Sequence, residues 1–335
     1  MIEKKALNAD HRFCVAPMID WTDRYCRFLH RQMTCYALLY TEMITAEAIL
    51  HGDREHLLGC DAAEHPVALQ LGGSDPEKMA RAAEIGAAFG YDEINMNVGC
   101  PSDRVQSGQF GACLMQEPEL VRDCLAAMRG AVSVPVTVKC RIGVDEQDPE
   151  EALPRFLSCA ESAGVRTVII HARKAWLQGL SPKENRTVPP LNYDLVFRMK
   201  REFPGLTVVL NGGLPSAEDA HQYLGQVDGV MLGRAAYEHP AILRDVDRLY
   251  FGDNREPISA EQAVEAVVRK AESDGTPIWR YARHMLGLFS GQKGARVWRR
   301  RISEEARLPE TRPSLLLRIL REAGLAESHA HDAAG

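Results

Sequence analysis

At 335 residues the chain can bury a large core, as one long domain with a smaller companion or as two middle-sized domains. Hydrophobic residues at 45% and charged residues at 26% exclude collagen-like and low-complexity classes, and no apolar run reaches the ~20 residues of a membrane helix. A formal net charge of −6 argues against nucleic acid as a partner of the whole surface, and the polar first ten residues lack the apolar stretch of a secretory signal, so a cytoplasmic location is expected.

Along the chain, short β-branched or apolar runs alternate with stretches of helical spacing. The runs fall at 12–18, 37–43, 67–71, 93–98, 136–142, 167–172, 207–211 and 230–232. Eight such units inside about 235 residues predict a parallel sheet closed into a (β/α)8 TIM barrel; a doubly wound open sheet is the alternative and usually has fewer strands. After the third run, Ser74 is the expected helix cap, with Pro76 in the first turn and Glu77 completing a capping box, and the helix runs to Ala88. After the seventh, Ser216 and Asp219 signal another helix start ahead of 220–224. Two long loops, 99–117 and 174–193, interrupt the rhythm, and long ordered loops usually carry function.

From 259 to 325 the apolar spacing is helical, and a small helical bundle is expected there, joined by the linker 251–257 and followed by a disordered tail from Ser328. The expected domains are thus 1–250 and 258–326. Between 269 and 301 the bundle carries nine basic residues (Arg269, Lys270, Arg280, Arg283, Lys293, Arg296, Arg299, Arg300 and Arg301) against Glu272 and Asp274, a local basic face on an acidic protein.

Active sites of barrels form at the carboxyl ends of the strands, so those ends are informative. Strand one ends in Pro17 and Met18 with Asp20 beyond, strand two in Glu42, strand three in Gln70, and strand four in Asn95, Asn97 and Cys100. Lys139 and Arg141 end strand five, His171 and Arg173 strand six, Asn211 with Gly212 and Gly213 strand seven, and Gly233 with Arg234 strand eight. Polar groups in apolar strands cost free energy unless a ligand or a neighbour satisfies them. The glycines after strands seven and eight, with Arg234, suit a phosphate, whether of a cofactor or of a substrate. Lys139 can stabilise developing negative charge or pair with a strand-end carboxylate such as Glu42.

Nine cysteines without CxxC pairs fit neither a disulfide framework nor a zinc site, and most are expected to be small buried hydrophobes. Cys100 stands apart in a glycine-containing loop with Gly99, Gly108 and Gly111. A thiol there can be a nucleophile, a ligand or a general acid; its unperturbed pKa of about 8.5 keeps it protonated at neutral pH and favours the last.

Read together, APMIDWTDRYCR (16–27), TEM (41–43), QLGG (70–73), INMNVGCPS (94–102), the Lys139 strand, HARKAWLQGLSPKENR (171–186), NGG (211–213) and GRAA (233–236) resemble the tRNA-dihydrouridine synthase family. The IDWTDR and AWLQGLSPKENR segments further resemble the bacterial subgroup acting on uridines 20 and 20a of the D-loop. The resemblance implies a barrel with a helical tRNA-binding domain, FMN as cofactor and NADPH as reductant, no Rossmann domain, and tRNA as partner; a monomer is expected. It implies that Pro17, Met18, Ile19, Gln70, Lys139, His171, Asn211, Gly212, Gly213, Gly233 and Arg234 hold FMN, the last five around its phosphate. Ile19 stands where the family often has Met. The implied chemistry is a hydride from reduced FMN to C6 of a flipped uracil and a proton from Cys100 to C5, with Asn97 orienting the base and Lys183, Arg186 and Arg299 contacting tRNA. Trp298 beside the basic face offers a possible stacking surface. A flavin barrel acting on a free pyrimidine would not need the basic bundle, and a non-catalytic tRNA-binding protein would not need Cys100, Lys139 and a phosphate site together.

Overall fold

The structure, a computed structural model, describes residues 10–102, 108, 110–308 and 310–326. Eight parallel strands, β1 (Phe13–Val15), β2 (Leu38–Thr45), β3 (Val67–Gly72), β4 (Glu93–Val98), β5 (Val136–Arg141), β6 (Thr167–His171), β7 (Thr207–Asn211) and β8 (Gly229–Leu232), pair in sequence order, and β1 closes on β8. The expected (β/α)8 barrel is therefore present. Alternation along each strand sends one set of side chains outward, where Phe13, Val15, Leu39, Leu69 and Val138 pack under the helices.

The inward set is divided. Cys14, Leu38, Tyr40, Ala68, Ile169, Val209 and Met231 form an apolar cluster inside the barrel. Glu93, Asn95, Asn97, Thr137 and Gln70 occupy the rest of it as buried polar groups, and the parallel register sets Gln70 beside Asn95, Asn95 beside Thr137 and Asn97 beside Lys139.

Boundaries differ from the sequence reading where backbone chemistry intervenes. β1 stops at Val15 rather than 18: the last ladder bond runs from the Ala16 N–H to the Leu232 carbonyl, and Pro17 has no N–H to continue it. The helix Pro76–Ala88 is capped by Asp75, not Ser74. Proline holds its first position, so the residue just before it is the cap, and the Asp75 carboxylate accepts from the N–H groups of Glu77 and Lys78 at 3.0 Å each. Ser216 does cap a helix, Ala217–His221, which starts earlier and ends earlier than its apolar spacing suggests. Of the nine cysteines, all free, only Cys14, Cys26, Cys124 and Cys140 are fully buried.

Beyond the barrel lie the helices Ala260–Asp274, Trp279–Ala282, Ala295–Glu305 and Leu315–Glu322. Ser259 and Gln262 form a capping box at the start of the first, and Gly275 ends it in the left-handed region at φ 63°. This segment is fastened to the barrel by charge and rings. Asp23 pairs with Arg283 at 2.6 Å and lies 3.0 Å from His284 Nε2, Lys270 reaches Asp61 at 2.5 Å, and Tyr281 packs edge-on against Tyr25 and Phe28.

Trp298 corrects the sequence reading. It is fully buried, its Nε1 donates to the Met285 carbonyl at 2.8 Å, and its ring meets Phe289 edge-on, so it builds the core of the helical segment and offers no stacking surface. The tail expected to be disordered from Ser328 lies outside the described residues. Among the described residues no helix is long and apolar enough to cross a membrane.

Candidate active site

The strand ends converge on one mouth. Asn97 ends the interior of β4 and is only 8% exposed. Its Oδ1 accepts the backbone N–H groups of Gly99 at 3.1 Å and Cys100 at 3.0 Å, which turns the chain sharply out of the strand. Cys100 is held a second time, since its carbonyl accepts from the Ala112 N–H at 2.9 Å. Its half-buried Sγ lies 3.4 Å from Ser102 Oγ. The middle of this loop, including Gln109, is outside the described residues.

Opposite the thiol stands a group of cations with few anions among them. Lys139, on β5 beside Asn97, makes no ion pair among the described residues, so the pairing with Glu42 does not form; Glu42 instead accepts from the Asp20 N–H at 2.5 Å. Burial, aided by the Arg141 charge, pushes the Lys139 ammonium down to about 8. Arg141 is 4% exposed, and among the described residues its partners are carbonyls: Gly99 at 3.1 Å, Lys174 at 3.0 Å and Asn185 at 2.8 Å. It ties the Cys100 loop to the long loop after β6, and burial lowers it to about 10. Sequence reasoning saw Arg141 as a strand end and gave it no role; its place two residues after Lys139, on the same face of the strand, is the signal that could have found it.

His171 ends β6 between Arg141 and Asn211 in the register. Among the described residues its buried Nδ1 has no hydrogen-bond partner, nor does Nε of Arg173. Burial, then the charges of Arg141, Lys139, Arg173 and Arg186, hold the imidazole well below its ordinary value. Arg173 and Arg186 are lowered too, by burial and by Arg234. Burial is the main cause for each of these groups and neighbouring positive charge adds to it, so an anion placed there would favour their charged forms.

The glycines supply the cradle. Gly212 and Gly213 have φ of 102° and 73°, a conformation side chains rarely adopt, and a Cβ on Gly212 would come within 3.0 Å of the His171 ring. Asn211 is fixed by donating to the Met231 carbonyl at 2.7 Å, and Tyr193 donates to the Gly212 carbonyl at 2.6 Å. Gly233 precedes the helix Arg234–Glu238, whose first residue, Arg234, reaches the Arg186 carbonyl at 3.4 Å. Pro17 and Met18 are half-buried on the turn after β1, and Ile19 beside them is 47% exposed. Gln70 lies buried in β3. Orphaned buried polar atoms, surplus cations and a glycine cradle fit a phosphate-bearing ligand such as FMN.

Lys183 and Arg186 are exposed on the turn Glu184–Arg186 at the edge of this mouth. Arg299 is exposed on the helix Ala295–Glu305, outside the mouth. The basic face is smaller than its sequence suggests, because Arg269, Lys270, Arg283 and Arg301 are spent on Glu265, Asp61, Asp23 and Glu305. Lys293, Arg296, Arg299 and Arg300 remain exposed, as does Arg280, which lies 5.7 Å over the Tyr25 ring.

This is the layout of a (β/α)8-barrel enzyme with a cationic mouth and a thiol at its rim. The chain belongs to the dihydrouridine synthase family, whose profile matches residues 14–323. It is similar to the tRNA-dihydrouridine(20/20a) synthases of Shewanella oneidensis (53% identical over 302 residues, 89% of this chain and 90% of that one) and of Xanthomonas campestris pv. campestris (54% over 299 residues, 89% of each). It is likewise similar to that of Escherichia coli K12, at 53% over 310 residues, 91% of this chain and 90% of that one.

Proposed function

We propose that this protein reduces uridines 20 and 20a of the tRNA D-loop to 5,6-dihydrouridine, with FMN as cofactor and NADPH as reductant. The observation that carries the reading is the thiol of Cys100, held by Asn97 at the rim of a mouth lined by buried cationic side chains and a glycine cradle. The names of the similar synthases support the substrate.

Asn211, Gly212, Gly213, Gly233 and Arg234 would hold the FMN phosphate, and Pro17, Met18, Ile19, Gln70, Lys139 and His171 would line the rest of its site. FMN held there, once reduced by NADPH, would supply the hydride that C6 of the uracil must receive. Cys100 then gives its proton to C5, completing the saturation of the 5,6 bond, and solvent restores the thiol. Asn97 presents a hydrogen-bond donor to a uracil carbonyl, and protonated Lys139 supplies positive charge where negative charge develops. Residues 1–250 form the catalytic part and residues 258–326 the tRNA-binding part, in a cytoplasmic monomer.

The target base must leave its stack, at a cost of a few kcal/mol that phosphate contacts elsewhere offset. Lys183, Arg186 and Arg299 make those contacts, with Lys293, Arg296 and Arg300 on the same basic surface as Arg299. Measuring dihydrouridine at each D-loop position in tRNA from cells with and without this gene tests the assignment. Loss at 20 and 20a is the expected result; unchanged content at both sites refutes the substrate.

A further inference from the structure

A continuous line of hydrogen bonds runs through the barrel interior to the Cys100 loop. It begins at Glu93, the first residue of β4, which is 0% exposed. The Glu93 carboxylate accepts from His11 Nε2 at 2.6 Å, from the Tyr40 hydroxyl at 2.7 Å and from the Thr137 hydroxyl at 2.6 Å. Burial opposes a charged His11 ring, but the Glu93 carboxylate outweighs it and keeps His11 above its ordinary value.

The polarity of the rest follows from donor counting. Thr137 spends its one proton on Glu93, so its oxygen must accept, and it does so from Asn95 Nδ2 at 2.8 Å. That orientation turns Asn95 Oδ1 toward Gln70, where it accepts from Nε2 at 2.8 Å. Gln70 Oε1 then accepts from Asn97 Nδ2 at 2.8 Å. Asn97 Oδ1, at the top, accepts from the main-chain N–H groups of Gly99 and Cys100. The upper end fixes the direction, because a backbone N–H only donates, so Asn97 Oδ1 must face Gly99 and Cys100 and its Nδ2 must face Gln70. Every bond in between donates toward Glu93, and no amide can flip alone without leaving a buried group unpaired.

We propose that Glu93 and Thr137 are positioning residues, which through Asn95 and Gln70 fix the orientation of Asn97 and the main chain of Cys100. The consequence is a choice of base. Both lone pairs of Asn97 Oδ1 are occupied, and one hydrogen on Nδ2 is left over. Asn97 therefore meets the substrate as a donor only, which suits a carbonyl of uracil and mismatches the amino group of cytosine. This inference rests on the uridine reductase reading above.

The test compares Thr137→Val, which keeps shape but removes the link, with Thr137→Ser, which keeps it, in FMN-loaded full-length protein. With tRNA lacking dihydrouridine and NADPH in excess, Thr137→Val is expected to lose about tenfold in kcat, the scale of one buried hydrogen bond, with KM for tRNA little changed, and Thr137→Ser to recover most of the loss. The rate at which iodoacetamide alkylates Cys100 without tRNA, read by peptide mass spectrometry, should change several-fold in the Val variant and little in the Ser variant. Wild-type kcat and alkylation in Thr137→Val, measured well below its melting temperature, would overturn the proposal, as would equal damage in both variants. Failure of the wild-type protein to form dihydrouridine would strike the functional reading instead, and the alkylation comparison would still decide whether the chain positions Cys100.

Discussion

Lys139 carries a cost that its removal should reveal. Its ammonium sits at about 8 where 10.5 is ordinary, chiefly from burial and then from Arg141. At about 1.4 kcal/mol per tenfold change in protonation, that difference corresponds to about 3 kcal/mol against the folded, ligand-free protein, an upper figure because part of the side chain meets solvent at the rim. Lys139→Met should therefore raise the stability of the FMN-free protein by up to about 3 kcal/mol at pH 7. Below about pH 8 both folded and unfolded wild-type chains hold the proton and the penalty is complete. Between about 8 and 10.5 the folded chain sheds it first, wild-type stability rises, and the gap to the Met variant closes. Urea unfolding of both proteins without flavin, at pH 7, 8 and 9, measures this, and turnover of FMN-loaded protein should be strongly reduced in the variant. A Met variant no more stable than wild type at pH 7, or a gap that does not narrow as pH rises, would refute the picture of Lys139 as a buried ammonium that destabilises the ligand-free fold.

Cys100→Ala should retain FMN and its reduction by NADPH yet lose turnover on tRNA, since the thiol acts after the hydride has moved; stopped-flow flavin absorbance and dihydrouridine analysis separate the two, and normal turnover removes Cys100 from the mechanism. Gly212→Ala should weaken FMN binding at least tenfold by fluorescence titration, because its φ of 102° is unfavourable for alanine and its methyl would press on His171. Arg299→Ala should weaken tRNA binding and lower the slope of log K against log salt by about one, and an unchanged slope would place Arg299 off the RNA. Asp23→Ala should cost about 2 kcal/mol or more through loss of a helix cap and of the contacts to Arg283 and His284. Because those partners hold Asp23 at about 2 rather than 3.8, its contribution is whole above about pH 4 and fades as pH falls toward 2, which acid unfolding of wild type and variant will show.

Much of the site was legible because the barrel places function at fixed points of a repeating pattern. Eight apolar runs with polar ends specify which residues meet, so Cys100, Lys139, His171, Gly212 and Arg234 could be brought to one mouth from strand order alone. Roles that depend on facing partners were not legible. Nothing in the spacing of Trp298 among arginines distinguishes a stacking platform from a core residue; its burial against Phe289 and Met285 decides it. The nine-residue basic run likewise shrank once Asp23, Asp61, Glu265 and Glu305 were found beside four of its members.

The sequence by itself determined the barrel, the position of the thiol at its rim and the glycine turns suited to phosphate, because period, capping and positive φ are local properties. Only the tertiary structure decided which polar groups are satisfied. Gln70, Asn95 and Thr137 look like scattered strand residues until parallel register aligns them above Glu93, and His171 looks like an ordinary strand end until its Nδ1 is found buried among cations with no partner among the described residues. Hydrogen bonding and charge are sums over neighbours, and the neighbours are set by folding rather than by order along the chain.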